Sequence, residues 1–153
     1  MATAQTTHQS WSCSVTPPDL RIAIVVSSAL PIGLIANTVA TVGIGIGAAV
    51  PEFGQTLLTD MRGRVVQTSA NRPVPILQAT EEAIGVLLLR ALPPPEQAIV
   101  VPFPRFARNL HRFEDYLAQF AQRDLEGEII EGLALAGPEK WVRSLTGSLK
   151  LLR

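Results

Sequence analysis

The sequence holds one cysteine, two histidines and one tyrosine in 153 residues; aromatic residues make up only 5% and charged residues 17%. A single thiol excludes a disulfide framework and every metal site built from several cysteines. Thirteen basic residues against thirteen acidic ones leave a net charge of zero. No global field therefore steers nucleic acid or an anionic membrane, and any such binding has to come from a local patch. With 47% hydrophobic residues and a positive mean hydropathy, a disordered or coiled-coil chain is excluded and the polar surface must be thin. The length suits one core, expected over residues 19–153 behind a flexible tail over 1–18.

That tail is rich in Thr, Ser, Gln and Ala and closes on Pro17-Pro18. It has no basic segment ahead of an apolar run, so it does not read as a signal peptide, and the expected compartment is the reducing cytoplasm. Trp11 either docks the tail onto the body or a neighbouring subunit or stays in solvent; Cys13 has no activating partner nearby and reads as an idle thiol.

Between Arg21 and Glu52 there is no charged side chain, which raises the question of a membrane span. Ser27-Ser28, Pro31 and Gly33 break the run, Asn37, Thr38 and Thr41 place polar groups inside it, and no basic cluster follows. The pattern instead predicts a buried strand from Arg21 to Val26, a loop through Leu30-Pro31-Ile32-Gly33, and a helix from Leu34 to Ala49 packed on a sheet. Within it, Gly43-Ile44-Gly45-Ile46-Gly47-Ala48 matches the loose G-x-G-x-x-A dinucleotide pattern, but Pro51 comes too soon for the helix such glycines should open. Gly43 and Gly47 also form G-x-x-x-G, a spacing that carries weight only in a membrane span. Close packing of this helix, in the fold or across a subunit interface, is the expectation that remains.

Downstream, Thr56–Thr59 and Arg64–Val66 flank Asp60-Met61-Arg62-Gly63, the turn of a hairpin. Val74 to Gln78 reads as a strand, and Thr80 as the N-cap of a helix with Glu81 and Glu82 in its first turn, ending at Leu92 before Pro93-Pro94-Pro95. Ala98 to Val101 is a short strand. Phe106, Leu110, Phe113, Leu117 and Phe120 recur at helical spacing and predict one long helix from Pro104 to Gln122. Glu128 to Leu135, Pro138 to Leu145 and Leu149 to Leu152 complete the pattern as strand, helix and strand. Strands alternating with helices imply a three-layer α/β/α fold with a mixed sheet of four to five strands.

The close of the chain, Gly132-Leu133-Ala134-Leu135-Ala136-Gly137-Pro138 and then Leu145-Thr146-Gly147-Ser148-Leu149-Lys150-Leu151, resembles that of the type-two peptidyl-tRNA hydrolases of archaea and eukaryotes. The opening is similar too: Val25-Val26 leads through Leu30-Pro31-Ile32-Gly33 into a long helix. A closer likeness is to an uncharacterised bacterial domain family sharing that hydrolase fold, in the run from Leu30 to Asn37, in Pro75-Ile76-Leu77 and in the two terminal motifs. The resemblance spans about Arg21 to Arg153 and implies that fold. It does not carry the activity: the positions of the hydrolases' lysines fall on Leu34 and Ala36, of their glutamine on Ala40, of their histidine on Gly43, and of their aspartate near Phe103. None of these can hold a tRNA phosphate, position water or move a proton.

Ligands of open α/β sheets collect at the carboxyl ends of strands, which makes Ser27, Ser28, Asn37, Thr38 and Thr41 the pocket candidates. Asn37 either clamps the strand-to-helix loop or contacts a ligand. No serine nucleophile is defensible, since G-x-S-x-G is absent and neither histidine is adjacent to Ser27 or Ser28 in sequence. Arg105, Arg108 and Arg112, opposite the phenylalanines, are the candidate anion or RNA patch, although Glu114 and Asp115 neutralise much of it and a solvated face is the favoured reading. His111 makes neither a metal site nor a triad alone. Glu126, Glu128 and Glu131 read as solvent-facing charges at a strand edge, and Gly137-Pro138 as a generic helix opening. No metal or cofactor is expected. The favoured reading is a small-molecule-binding or non-catalytic homo-oligomer, with a diverged hydrolase and a weak RNA-binding module as alternatives; neither a membrane nor nucleic acid is the expected partner.

Overall fold

The run Leu20–Ser27 is apolar at nearly every position, as a strand covered on both faces requires, and it forms the central strand of a five-stranded sheet. The computed structural model describes residues 20–153, so Trp11, Cys13 and the rest of the tail lie outside the described residues. In chain order the elements are β1 (Leu20–Ser27), α1 (Ile32–Ala49), β2 (Leu57–Thr59), β3 (Val65–Gln67), β4 (Ile76–Ala79), α2 (Glu81–Ala91), β5 (Ile99–Pro104), α3 (Phe113–Phe120), β6 (Ile130–Pro138), α4 (Glu139–Thr146) and β7 (Lys150–Leu151). The sheet runs β5-β6-β1-β4-β7, with β1 parallel to β4 and β6 antiparallel to both β1 and β5.

Alternation along the strands divides the core. Ala23 and Val25 of β1 join Leu133 and Leu135 of β6 under α2 and α4, where Ile84, Leu88, Val142 and Leu145 are buried. Ile22, Ile24 and Val26 face the other way with Ala134 and Phe103, under Ile35, Val42 and Ile46 of α1. Helices thus cover both faces of a mixed sheet. By length and composition α1 would cross a membrane, yet Ile35, Thr38, Val42 and Ile46 are buried along one stripe of helical spacing, the signature of a helix lying on a sheet.

Local signals are realised closely. Asp60 Oδ1 accepts from the backbone N–H groups of Arg62 and Arg64, both at 2.9 Å, and Gly63 takes φ 78°, so the hairpin turn forms where its residues require it. Thr80 Oγ1 accepts from Ala83 N at 3.1 Å and caps α2. Of the four glycines in α1, only Gly45 meets a neighbour: a Cβ there would stand 3.0 Å from Val101 Cγ1, while Gly33, Gly43 and Gly47 face open space.

The long helix expected from Pro104 to Gln122 is replaced by three pieces. β5 extends through Pro104, Arg105–Asn109 make a 3-10 turn, and helix resumes only at Phe113. Glu114 and Asp115 suit the first turn of a helix that starts there. The phenylalanine spacing survives the break, because Phe106 stacks on Tyr116 with ring centroids 5.7 Å apart and also meets Phe120. Phe113 and Leu117 are left exposed.

α1 packs tightly on the sheet at Gly132 of β6, where an added Cβ would overlap Thr38 Cγ2. Thr38 is buried and its hydroxyl is committed to hydrogen bonds, so it has little room to rotate away. Gly132→Ala is expected to destabilise the fold by about 1–3 kcal/mol, read as a lower urea midpoint. Adding Thr38→Ser, which removes Cγ2 and keeps the hydroxyl, should recover most of that loss; strict additivity of the two changes would refute the contact.

Candidate functional site

Strands β1, β4 and β5 point the same way, so Ser27, Ala79 and Pro104 end at one edge of the sheet, where open α/β sheets hold their ligands. β6 enters the sheet from this edge. Its pairing with β5 is shifted there: Phe103 lies opposite Gly132 but Pro104 opposite Ile130, which leaves Glu131 as the extra residue of a bulge. A bulge re-aims the side chain it carries. Here it directs a carboxylate towards the chain that leaves β5.

The Glu131 side chain is only 4% exposed and is held by two arginines. Arg105 Nε donates to Oε1 at 2.8 Å, and Arg108 Nε donates to Oε2 at 2.8 Å with help from its Nη2. Arg108 Nη2 also donates to Thr38 Oγ1 at 3.0 Å, and the Thr38 hydroxyl donates to the Leu34 carbonyl at 2.8 Å. The Arg108 guanidinium lies 4.9 Å above the Phe103 ring. Arg105 reaches the other way to Glu81 in the first turn of α2. One polar chain therefore ties α1, α2, the end of β5 and the start of β6.

Two guanidinium groups face two carboxylates, so the cluster is neutral. Burial pushes the Glu131 carboxyl up, but the hydrogen bonds from Arg105 and Arg108 and their charges outweigh it and hold the group below the ordinary carboxylate range. A carboxylate held ionised in this way is a poor general base or acid near neutrality. Arg108 Nη1 is buried without a partner among the described residues.

The five pocket candidates do not converge. Ser27 is buried and its Oγ accepts from Ala29 N at 3.4 Å, whereas Ser28 is exposed in the turn that follows. Thr38 faces the sheet, while Asn37 and Thr41 lie on the outer face of α1, where the Thr41 hydroxyl donates to the Asn37 carbonyl at 2.8 Å. Successive helical residues are rotated by about 100°, so Asn37 and Thr38 cannot share a face. The Asn37 carboxamide has no hydrogen-bond partner among the described residues, and the loop is turned by Leu30 N donating to Ser27 O at 3.3 Å instead. Two surface clefts, of about 390 and 480 Å³, are lined by none of these five residues.

The arginine patch is likewise taken apart. Arg105 and Arg108 both pair with Glu131, although Arg105 keeps 46% of its side chain exposed, and Arg112 stays in solvent, 3.8 Å from the Glu114 carboxylate. Glu126 is exposed as expected and Glu128 pairs with Arg123 at 2.8 Å. The reading of Glu131 as a solvent-facing charge is corrected by the bulge and by the position of β6 between two other strands. A signal was present: one glutamate stands alone in the otherwise apolar Ile129-Ile130-Glu131-Gly132-Leu133-Ala134-Leu135, and such a charge needs a cationic partner.

Because the Glu131 pKa is lower in the fold than the ordinary 4.5, the cluster contributes fully above that value and its contribution is lost as pH falls below it. Glu131→Gln should cost roughly 2–4 kcal/mol at pH 7, since it leaves Arg108 charged and poorly matched in a largely buried position. Urea titrations from pH 7 down to 3 should show the difference between the wild type and this variant shrinking; a constant difference would contradict the ion cluster.

Residues 20–153 match the family described as "Protein of unknown function (DUF2000)". A solved structure of a protein of unknown function from Agrobacterium tumefaciens strain C58 superimposes with a TM-score of 0.79 at 20% sequence identity, covering 87% of this chain and 97% of that one. At that identity the likeness concerns the fold alone. No curated protein matches the sequence. With the family match running from the first residue of β1 through α4 and β7 to Arg153, the chain belongs to the DUF2000 family.

Proposed function

We propose that this chain is a non-catalytic, self-associating protein on a type-two peptidyl-tRNA hydrolase-like scaffold. The scaffold assignment rests on the order of motifs, from the Leu30–Gly33 loop to the terminal Leu135-Ala136-Gly137-Pro138 and Thr146-Gly147-Ser148-Leu149. The observation that carries the loss of catalysis is the closure of the strand ends by Glu131, Arg105 and Arg108, groups committed to one another. The positions that would hold the hydrolases' working side chains agree with this: Ala36 and Ala40 lie on the outer face of α1, Gly43 carries no functional group, and Phe103 sits under Arg108. RNA binding is disfavoured on this reading, because two of the three arginines are paired with Glu131.

Self-association is supported by what covers the molecule. The outer face of α1 is uncharged, with Ile32 78% and Ile44 73% exposed among Ala36, Ala40, Gly47 and Ala48. At the far end of α1, the β2–β3 hairpin exposes Leu57, Leu58, Val65 and Val66, and Met61 at its turn is fully exposed. A two-stranded ribbon with both faces in water is marginal alone. An uncharged face of this kind has nothing to match in a charged partner and suits a second copy of itself across a two-fold axis.

Incubation of the purified protein with peptidyl-tRNA should release no peptide above background; turnover that falls on Arg108→Gln would overturn the non-catalytic reading. Light scattering after size exclusion at 5–100 μM should find an oligomer, and Ile44→Glu together with Val66→Glu should convert it to a monomer with an unchanged circular dichroism spectrum. A wild-type monomer throughout that range would refute self-association.

A further inference from the structure

The cleft of about 390 Å³ lies between α2 and the segment that joins α4 to β7, beside the end of β4. Its lining is divided by chemistry along α2. Leu87, Leu145 and Leu149, all buried or half-buried, contribute apolar surface, and Ser148 adds a hydroxyl at the side. Glu82 lines it near the first turn of the helix, and Arg90 near the last. Neither charge has an ion pair among the described residues, where the arginines of the sheet edge are all engaged. The cleft thus combines an apolar floor with an unpaired anion towards one end of α2 and an unpaired cation towards the other.

The spacing selects the occupant. Eight residues of helix separate Glu82 from Arg90 by about 12 Å along the axis. The amine and carboxylate of a single amino acid, two bonds apart, cannot meet both. An extended peptide advances about 3.3–3.6 Å per residue, so roughly three residues match the span. The volume is at the lower end of the range for small-ligand pockets, about 300–1,000 Å³, and limits the occupant to a few residues. Arginine presents a planar fork that suits a carboxylate, and a carboxylate suits a primary ammonium. We infer that this cleft binds a short apolar peptide of about three residues with free termini, its carboxylate at Arg90 and its amine at Glu82. The site is separate from the outer face of α1 and from the Glu131 cluster, and it stands or falls independently of the oligomeric and non-catalytic readings.

The test uses the tripeptide Ala-Leu-Ala, its C-terminal amide and its N-acetyl form, titrated by calorimetry and by amide chemical shifts into the full chain. The free peptide should bind and shift resonances along α2 and at Ser148. Amidation or Arg90→Gln should weaken it about tenfold, as should acetylation or Glu82→Gln, through loss of one charge-assisted contact each. Amidation should cost nothing further in Arg90→Gln, nor acetylation in Glu82→Gln. Both substituted residues line an open cleft and make no side-chain hydrogen bond or ion pair among the described residues, so oligomeric state and circular dichroism spectrum should not change, and loss of a helix-end charge should lower the unfolding temperature by only about 1–4 °C. No binding at millimolar peptide, or binding indifferent to both end modifications, would overturn the inference.

Discussion

A carboxylate inside a five-stranded sheet cannot stand alone, and Glu131 is such a group. Withdrawing an ionised carboxyl from water costs several kcal/mol unless charge and hydrogen bonds replace the solvent. Two guanidinium groups supply them here, and their placement governs how the neighbouring chain is built. Arg105 and Arg108 can both reach one carboxylate because the chain leaves β5 as a 3-10 turn at Pro104. The bulge that frees Glu131, the glycine that admits Thr38 beside it, and the late start of α3 at Phe113 are parts of the same arrangement.

That arrangement occupies the edge where a sheet of this kind ordinarily offers a ligand its backbone and side chains. In this chain the edge is neutral, closed and braced between α1 and α2. Glu131, Arg105 and Arg108 are paired with one another there, and the proposed non-catalytic reading follows from that pairing, since an ion cluster already paired has little to offer a transition state. On the proposed reading, the surfaces open to an outside partner are the uncharged outer face of α1 with its hairpin, and the cleft along α2 where Glu82 and Arg90 have no ion pair among the described residues.

The scarcity of charge gives this displacement its weight. With 17% charged residues, of which several are tied up in the interior cluster and in local pairs such as Arg64 with Asp60 and Arg143 with Glu139, much of the exterior is left apolar. α1 illustrates the consequence. Only one stripe of it meets the sheet, so the same composition that suggests a membrane span instead leaves a bare helix face on the outside of an α/β layer.

The features that can be read from the residues alone are local. Ile22 to Val26 of β1 is an uninterrupted apolar run, Thr80 with Glu81 and Glu82 starts α2, and Asp60 with Gly63 turns the hairpin; each is encoded within a few neighbouring residues, so no distant partner can reverse it. The alternation of strands and helices similarly implied a mixed sheet covered on both faces. The candidate site was scarcely legible, because its bonds join residues 23 and 26 positions apart and, from Thr38 to Arg108, 70 apart. Helical spacing of Phe106, Phe113 and Phe120 was compatible with one long helix and with a broken one; only the ion cluster chose between them. Asn37 and Thr38 look equivalent as letters, yet the sheet buried one and left the other in water, since a helix rotates each residue about 100° from the last. Tertiary structure decided wherever two local solutions were close in energy and a buried charge favoured one.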